Sequence, residues 1–176
     1  MTLQSSSYEL TQRLLTLFDT DFLYSVLLTI SSAVKHLSLV VHVGSLDSWP
    51  LSLHKKQYAA MIFNTHFEND VGEHWVGVFI DGETQTAYIF DSLPLRPFPQ
   101  NVVHKLNNIC VSVQDINPHH FVLQHPAYPL CGLYCLVFLE RFSKKKSFHL
   151  CPSNPTLNDI TVVKHVLPFI KDTFVL

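Results

Sequence analysis

The sequence predicts an α+β domain in which helices pack on a central, mostly antiparallel sheet. The N-terminal part of the chain has helical periodicity, and the middle contains two apolar runs joined by a turn signal. The segment 131–142 is apolar on nearly every side, which is typical of a buried helix. We therefore predict a central buried helix with Cys131 in its first turn.

The composition fits one compact domain of 176 residues. Hydrophobic residues make up 47% of the chain and charged residues 15%, so a substantial core is expected. The formal net charge of -2 gives no electrostatic reason to expect nucleic-acid binding. The uncharged apolar stretch 22–34 is shorter than the roughly 20 residues that a membrane span requires. The acidic N-terminus does not resemble a secretory signal, so the cysteines are expected to be reduced thiols in a cytosolic or nuclear setting.

Two helices are predicted near the N-terminus. The first covers 8–18, where the apolar side chains share one face, and the second covers 21–36 and begins with an acidic N-cap candidate. The segment 37–43 fits either a strand or a loop, and 44–53 is rich in turn-forming residues. A short helix is predicted around 54–60.

A β-hairpin is predicted in the centre of the chain. Its strands cover 74–80 and 86–91, and Asp81-Gly82 supplies the turn signal. If these strands pair antiparallel, the first residue of one and the last residue of the other lie at the same edge of the sheet.

Four further elements are predicted after the hairpin. A short helix covers 101–107, a strand covers 109–116, and a second short strand covers 121–124. The last helix covers 157–172 and is expected to be interrupted or kinked near Pro168, because proline removes a helical hydrogen bond.

Cys131 is a candidate nucleophile because it begins the buried helix. The free backbone N–H groups and the dipole of a helix N-terminus favour a thiolate. Gly132, without a side chain, would let a substrate backbone approach closely. The alternative is that Cys131 is a buried core thiol, which is the better description of Cys135 one turn further along.

His74 is the candidate base among eleven histidines. It begins one hairpin strand beside Trp75, and Asp91 ends the other, so a carboxylate there can orient and stabilise an imidazolium. The alternative is that Asp91 is an ordinary turn residue at the end of a strand. Gln124, seven positions before Cys131, is a candidate donor to an oxyanion together with the Cys131 N–H, although loop glutamines are usually solvated.

An ordered set of motifs resembles adenain, the adenovirus-type cysteine endopeptidase, and the related Ulp-type proteases that process SUMO. The set consists of His74-Trp75, Asp91, Gln124 and Cys131-Gly132. Other segments are also similar to the family: 44–47, 54–65, 86–92, 123–139 and 153–160. The resemblance therefore covers about 44–160, although adenains commonly carry glutamate where this chain has Asp91.

The resemblance implies an adenain/Ulp-like, papain-related fold and a role for each motif residue. His74 would be the base, Asp91 its orienting carboxylate, Gln124 the oxyanion donor and Cys131 the nucleophile. A groove for substrate would be lined by Gly44, Ser45, Asp47, Trp75 and Gly132. The chain would form a single cysteine-protease domain, with 1–43 as a helical N-terminal extension and 44–160 as the catalytic core.

The resemblance also implies a viral or mobile-element thiol protease that matures capsid or core precursors at glycine-containing sites. It would act as a monomer in the host nucleus or cytoplasm and in the virion, without a membrane anchor. The chemistry needs no cofactor. Adenains are activated by a short peptide that can be tethered through a disulfide, for which Cys110 is the candidate; a buried thiol is the alternative there. The near-neutral charge argues against activation by DNA.

Two other functions are compatible with the sequence, and a third is not favoured. The first is a SUMO or ubiquitin-like isopeptidase of the same clan. The second is an inactive binding paralogue, although all four site residues are present. A zinc site is not favoured, because it would place two thiolates inside an apolar helix. Its ligands would be Cys131, Cys135, His149 and Cys151, with His125 as a fifth candidate.

Overall fold

A computed structural model of the protein describes residues 20–32, 39–50, 53–65, 74–94 and 97–173. The predicted helix over 8–18 lies outside these residues. The described part has α+β architecture. Its elements in chain order are α1 (Thr20–Ser32), β1 (Leu39–Ser45), β2 (Tyr58–Asn64), β3 (Trp75–Asp81), β4 (Thr86–Phe90), α2 (Gln100–Ile109), β5 (Ser112–Asp115), α3 (Cys131–Ser143) and α4 (Pro155–Thr173).

The five strands form one sheet in the order β1-β2-β3-β4-β5. The inner pairs, β2 with β3 and β3 with β4, are antiparallel, and the β3–β4 pair is the predicted hairpin. The outer pairs are parallel, so the sheet is mixed rather than mostly antiparallel. Parallel neighbours need a crossover connection, and α2 provides it between β4 and β5.

The predicted helix around 54–60 is wrong, because β2 begins at Tyr58. This strand lies between β1 and β3, and its five central residues are buried. A continuous apolar run is typical of a strand that is covered on both faces. The ambiguous segment 37–43 is a strand from Leu39, and that strand extends through Gly44 and Ser45, where turns were expected.

Three predictions after the hairpin are changed by the structure. Helix α2 continues to Ile109, so the strand expected over 109–116 shortens to Ser112–Asp115. The segment 121–124 is not a strand. The N–H groups of Leu123 and Gln124 both donate to one acceptor, the carbonyl of Ser92, which differs from the pairing of a β-ladder. Helix α4 begins at Pro155 and continues past Pro168 to its end, without the predicted interruption.

The buried helix α3 is confirmed. Every residue from Cys131 to Glu140 is buried, and this helix packs with α1 and α4 on one face of the sheet. Helix α2 contributes to the apolar cluster on the other face. Among the described residues, none of the helices combines the length and apolarity that a membrane span needs.

The contact between α3 and β3 is close enough to require glycine at position 77. A Cβ atom at Gly77 would lie 2.9 Å from Cδ1 of Phe138 and 3.6 Å from Cβ of Cys135. Phe138 is fully buried and stacks on Phe90, with ring centroids 5.1 Å apart, so its ring has little room to move.

Replacing Gly77 by alanine should push α3 away from the sheet. Overpacking of this kind lowers the free energy of unfolding by roughly 1 to 3 kcal/mol, which urea denaturation measures. Val111→Ala is the control, because Val111 is 79% exposed and its truncation should change stability by less than about 0.5 kcal/mol. If both variants unfold at the wild-type urea concentration, the close contact does not limit the packing.

Candidate active site

The hairpin places His74 and Asp91 at one edge of the sheet. His74 immediately precedes β3, and Asp91 immediately follows β4, which pairs with β3 in antiparallel register. His74 Nε2 lies 2.7 Å from Asp91 Oδ1, and the two side chains are 17% and 13% exposed. The backbone of His74 is also fixed, because its carbonyl accepts a hydrogen bond from Thr65 N at 2.8 Å, at the end of β2.

The Asp91 carboxylate is held in a defined orientation. Its Oδ1 atom accepts a second hydrogen bond from the backbone N–H of Leu93 at 2.8 Å. The buried amide of Asn117 donates to the Asp91 carbonyl at 3.1 Å and to the Phe121 carbonyl at 2.7 Å. Asp91 therefore has the fixed geometry of a carboxylate that orients an imidazole.

Cys131 is the first residue of α3 and is 6% exposed. The first N–H groups of a helix have no partners within it, so they can stabilise a thiolate at this position. The His74 ring interacts with both Asp91 and Cys131. Because Nε2 contacts Asp91, Nδ1 is the ring nitrogen left for the thiol.

These neighbours determine the charge of His74. Burial lowers the pKa of the imidazole, but the hydrogen bonds and charges of Asp91 and Cys131 outweigh burial and raise the pKa from 6.5 to about 10. The imidazolium thus persists at neutral pH. Because the pKa is higher in the folded protein, this protonation stabilises the fold fully below about pH 6.5, and the stabilisation is lost as pH rises through about 10.

Gln124 is a buried residue with defined partners and not a solvated loop residue. It is 2% exposed. Its Oε1 accepts a hydrogen bond from Ser92 Oγ at 2.6 Å, and its Nε2 donates to the Tyr128 carbonyl at 3.1 Å. An amide nitrogen has two hydrogens, so one N–H remains for a further acceptor.

The loop that carries Gln124 is tied to α3 and α4. The Tyr134 hydroxyl lies 3.1 Å from the Leu123 carbonyl and 2.7 Å from Asp159 Oδ1. Asn158 Nδ2 donates to the same carbonyl at 2.9 Å, and the carboxylate of Asp159 accepts from His125 N at 3.3 Å. Burial, together with the adjacent carboxylate, raises the pKa of Tyr134 above its ordinary value.

Sequence reasoning missed Ser92, Tyr134 and Asp159 as supports of the site. Tyr134 lies in the mostly apolar helix α3, where nothing in the sequence marks its hydroxyl as functional. Asp159 falls in the family-like segment 153–160, which gave a position but no role. Ser92 directly follows Asp91 and ends the family-like segment 86–92, which likewise gave a position but no role.

The strand register brings part of the predicted substrate groove to the same edge. Ser45 of β1 is opposite Asn64 of β2, which is opposite Trp75 of β3, next to His74. Ser45 Oγ donates to Asp47 Oδ1 at 2.6 Å. A side chain at Gly44 would collide with Ser48 Oγ, so glycine there keeps the end of the strand and its turn together.

Gly132 has a different neighbour from the one that the sequence suggested. A Cβ atom there would lie 2.9 Å from the side chain of Leu23, so the absent side chain makes room for α1. Its contact with substrate stays a prediction, as do the substrate roles of Gly44, Ser45, Asp47 and Trp75.

The other cysteines have distinct environments. Cys135 is fully buried, and its Sγ lies 3.6 Å from the Trp75 carbonyl oxygen, as expected for a core thiol. Cys110 follows the end of α2 and is partly buried, and burial raises the pKa of its thiol to about 11. Its role as a tether stays a prediction. In the part of the chain that the structure describes, no group of three His, Cys, Asp or Glu residues is placed to hold a metal ion.

Comparison with known proteins identifies a family and one curated relative. Residues 43–171 match the adenovirus endoprotease family. A protein named Protease from Porcine adenovirus A serotype 3 is 25% identical over 125 residues, which cover 62% of this chain and 60% of that protein. The chain therefore spans about three-fifths of the length of the curated relative it matches.

Two solved structures resemble part of the chain. The ASFV pS273R protease has a TM-score of 0.47 and 19% identity, over 62% of this chain and 42% of its own. ChlaDub1 from Chlamydia trachomatis has a TM-score of 0.44 and 18% identity, over 65% of this chain and 61% of its own.

Replacing Asp91 by asparagine tests the origin of the His74 charge. Without the carboxylate, the pKa of His74 should fall from about 10 towards 6.5. An imidazole ¹⁵N NMR titration measures this change, and His74→Gln identifies the signal. The remaining histidines serve as internal controls, and an unchanged His74 titration in Asp91→Asn would contradict the assigned pair.

Proposed function

The chain belongs to the adenovirus endoprotease family, and we propose that it is a cysteine endopeptidase that cleaves peptide bonds by acyl transfer. One observation carries this proposal: His74 Nε2 lies 2.7 Å from Asp91 Oδ1, and the same ring interacts with Cys131 at the N-terminus of the buried helix. A histidine oriented by a carboxylate and facing a cysteine is the arrangement that activates a thiol nucleophile.

The reaction begins from a thiolate–imidazolium pair. The Cys131 thiolate attacks the peptide carbonyl and forms a carbon–sulfur bond. The negative oxygen that results accepts hydrogen bonds from the Cys131 N–H and from the second N–H of Gln124. His74 then gives its proton to the leaving amine as the carbon–nitrogen bond breaks.

Water completes the cycle. Neutral His74 removes a proton from water, which attacks the thioester and releases the carboxylic acid product and the Cys131 thiolate. Asp91 keeps the imidazole in one orientation through both steps and stabilises its charged form. No cofactor enters either step.

We propose that the substrates are precursor proteins of a virus or virus-like mobile element, cut at glycine-containing sites. The family membership supports this substrate class. The corresponding compartments are the host nucleus or cytoplasm and the virion. A monomer suffices for the chemistry, because all four proposed catalytic residues come from one chain.

An activating peptide is the proposed partner, with Cys110 as its point of attachment. The raised pKa of this thiol, about 11, keeps it protonated at neutral pH, so a tether there would form slowly without a further change around it. The net charge of -2 does not support a requirement for nucleic acid.

This chain has aspartate at position 91, where adenains commonly carry glutamate. This departure from the adenain pattern favours a second candidate function. The alternative is an isopeptidase that removes SUMO or a ubiquitin-like protein. An inactive binding paralogue is a further alternative, which predicts an unreactive Cys131.

Replacing Cys131 by alanine should abolish cleavage of precursor proteins and labelling by a peptide-based thiol probe. The background should be Cys151→Ser, since a hydrogen bond from Ser153 lowers the pKa of the half-exposed Cys151 thiol and makes it the competing site of labelling. Mass spectrometry locates the label. Cleavage that survives in Cys131→Ala would refute the nucleophile, and an unlabelled Cys131 would favour the binding paralogue.

Substrate choice separates the two enzymatic functions. An endopeptidase should cut peptides from its own precursor proteins, with and without a candidate activating peptide, and should ignore reporters fused to the C-terminus of SUMO or ubiquitin. The ratio of kcat/KM for the two substrate classes is the measurement. A ratio that favours the reporters would replace endopeptidase by isopeptidase.

A further inference from the structure

Two adjacent residues after β4 serve different parts of the proposed site. Asp91 binds His74 through its carboxylate, and Ser92 binds Gln124 through both its side chain and its backbone. Ser92 Oγ lies 2.6 Å from Gln124 Oε1. The Ser92 carbonyl accepts N–H groups from Leu123 at 2.9 Å and Gln124 at 3.3 Å. The base and the oxyanion donor are therefore fixed to one dipeptide.

The hydrogen bonds around Gln124 define which end of its amide faces which neighbour. The Tyr128 carbonyl can only accept, so the group 3.1 Å from it must be the amide NH₂. Ser92 then faces the amide oxygen and must donate its hydroxyl hydrogen. The two contacts hold the amide at both ends and direct its remaining N–H.

Burial makes this orientation depend on the Ser92 hydroxyl. Ser92 is 0% exposed and Gln124 is 2% exposed, so water does not readily replace a missing donor. A buried carbonyl oxygen that loses its donor seeks another one, and the amide can do so by rotating. Rotation would turn the second N–H away from its direction in the intact site.

We infer that Ser92 is a positioning residue, which orients the Gln124 amide so that its free N–H faces the oxyanion of the reaction. This inference rests on the proposed function for its catalytic consequence, because the oxyanion arises only if Cys131 attacks a carbonyl. The orientation itself rests on the hydrogen bonds alone. Ser92 acts through Gln124 and does not touch the reacting atoms.

Ser92→Ala in the full chain is the test, because it removes the hydroxyl with almost no change in volume. Loss of one oxyanion donor lowers kcat by about 100- to 1000-fold, and loss of its orientation should lower kcat by a part of that, with KM little changed. Ser143→Ala is the matched control. Ser143 is also buried, but its hydroxyl donates to the Glu140 carbonyl at 2.9 Å, at the opposite end of α3.

Two reagents distinguish positioning from general damage. A peptide aldehyde forms a tetrahedral adduct with an oxyanion, so its affinity should fall in Ser92→Ala. Iodoacetamide alkylation of Cys131 needs no oxyanion donor, so its rate should match that of the wild-type protein. Equal losses with both reagents would indicate a structural role and overturn the inference.

A double variant tests whether Ser92 acts through Gln124. In a Gln124→Ala background, Ser92→Ala should cause no further loss of kcat. An additive loss would contradict the inference.

The side-chain amide NMR signals of Gln124 give a readout that needs no substrate. They should shift in Ser92→Ala and stay unchanged in Ser143→Ala. An unshifted amide overturns the inference. If the wild-type protein neither cleaves peptides nor binds the aldehyde, the proposed function fails, while the NMR result still decides the orientation.

Discussion

The close contact between α3 and β3 determines where the candidate nucleophile lies. Gly77 lets the helix approach the strand so closely that Phe138 fills the space in which a Cβ atom at position 77 would lie. The helix is apolar on nearly every side, so packing against the sheet, α1 and α4 fixes its position. The N-terminus of α3 is thereby held at the sheet edge where the hairpin places His74 and Asp91. The Cys131 thiol and the His74 imidazole are therefore both positioned by packed secondary structure.

The electrostatics of the site follow from this packing. Exclusion of water alone would favour neutral His74, but the Asp91 carboxylate at 2.7 Å and the thiol reverse that preference. A buried ion pair costs desolvation energy and contributes little to stability unless further hydrogen bonds satisfy it. The backbone N–H of Leu93 supplies such a bond to the Asp91 carboxylate, and Asn117 holds the Asp91 backbone through its carbonyl, so the pair can persist inside the fold.

Residues far apart in sequence support the loop before α3. Tyr134 from α3, with Asn158 and Asp159 from α4, holds its backbone, and Ser92 holds its Gln124 side chain. The loop has no regular secondary structure, so these bonds replace a ladder or helix in satisfying its buried polar groups. The position of the proposed oxyanion donor thus depends on the last helix as well as on the sheet.

The resemblance to the adenain motif set assigned roles to His74, Asp91, Gln124 and Cys131, and local patterns in the sequence were enough to predict the hairpin and the buried helix. Turn signals and periodicity act over a few residues, so one chain segment carries them completely. Pairing between distant segments decided the rest. The segment 58–64 is a strand because it pairs with β1 on one side and with β3 on the other. The sheet is mixed because β1 and β5 pair in parallel with their neighbours. Likewise, the roles of Ser92, Tyr134 and Asp159 exist only after folding, since each consists of a hydrogen bond to a residue that lies 11 to 34 positions away in the sequence.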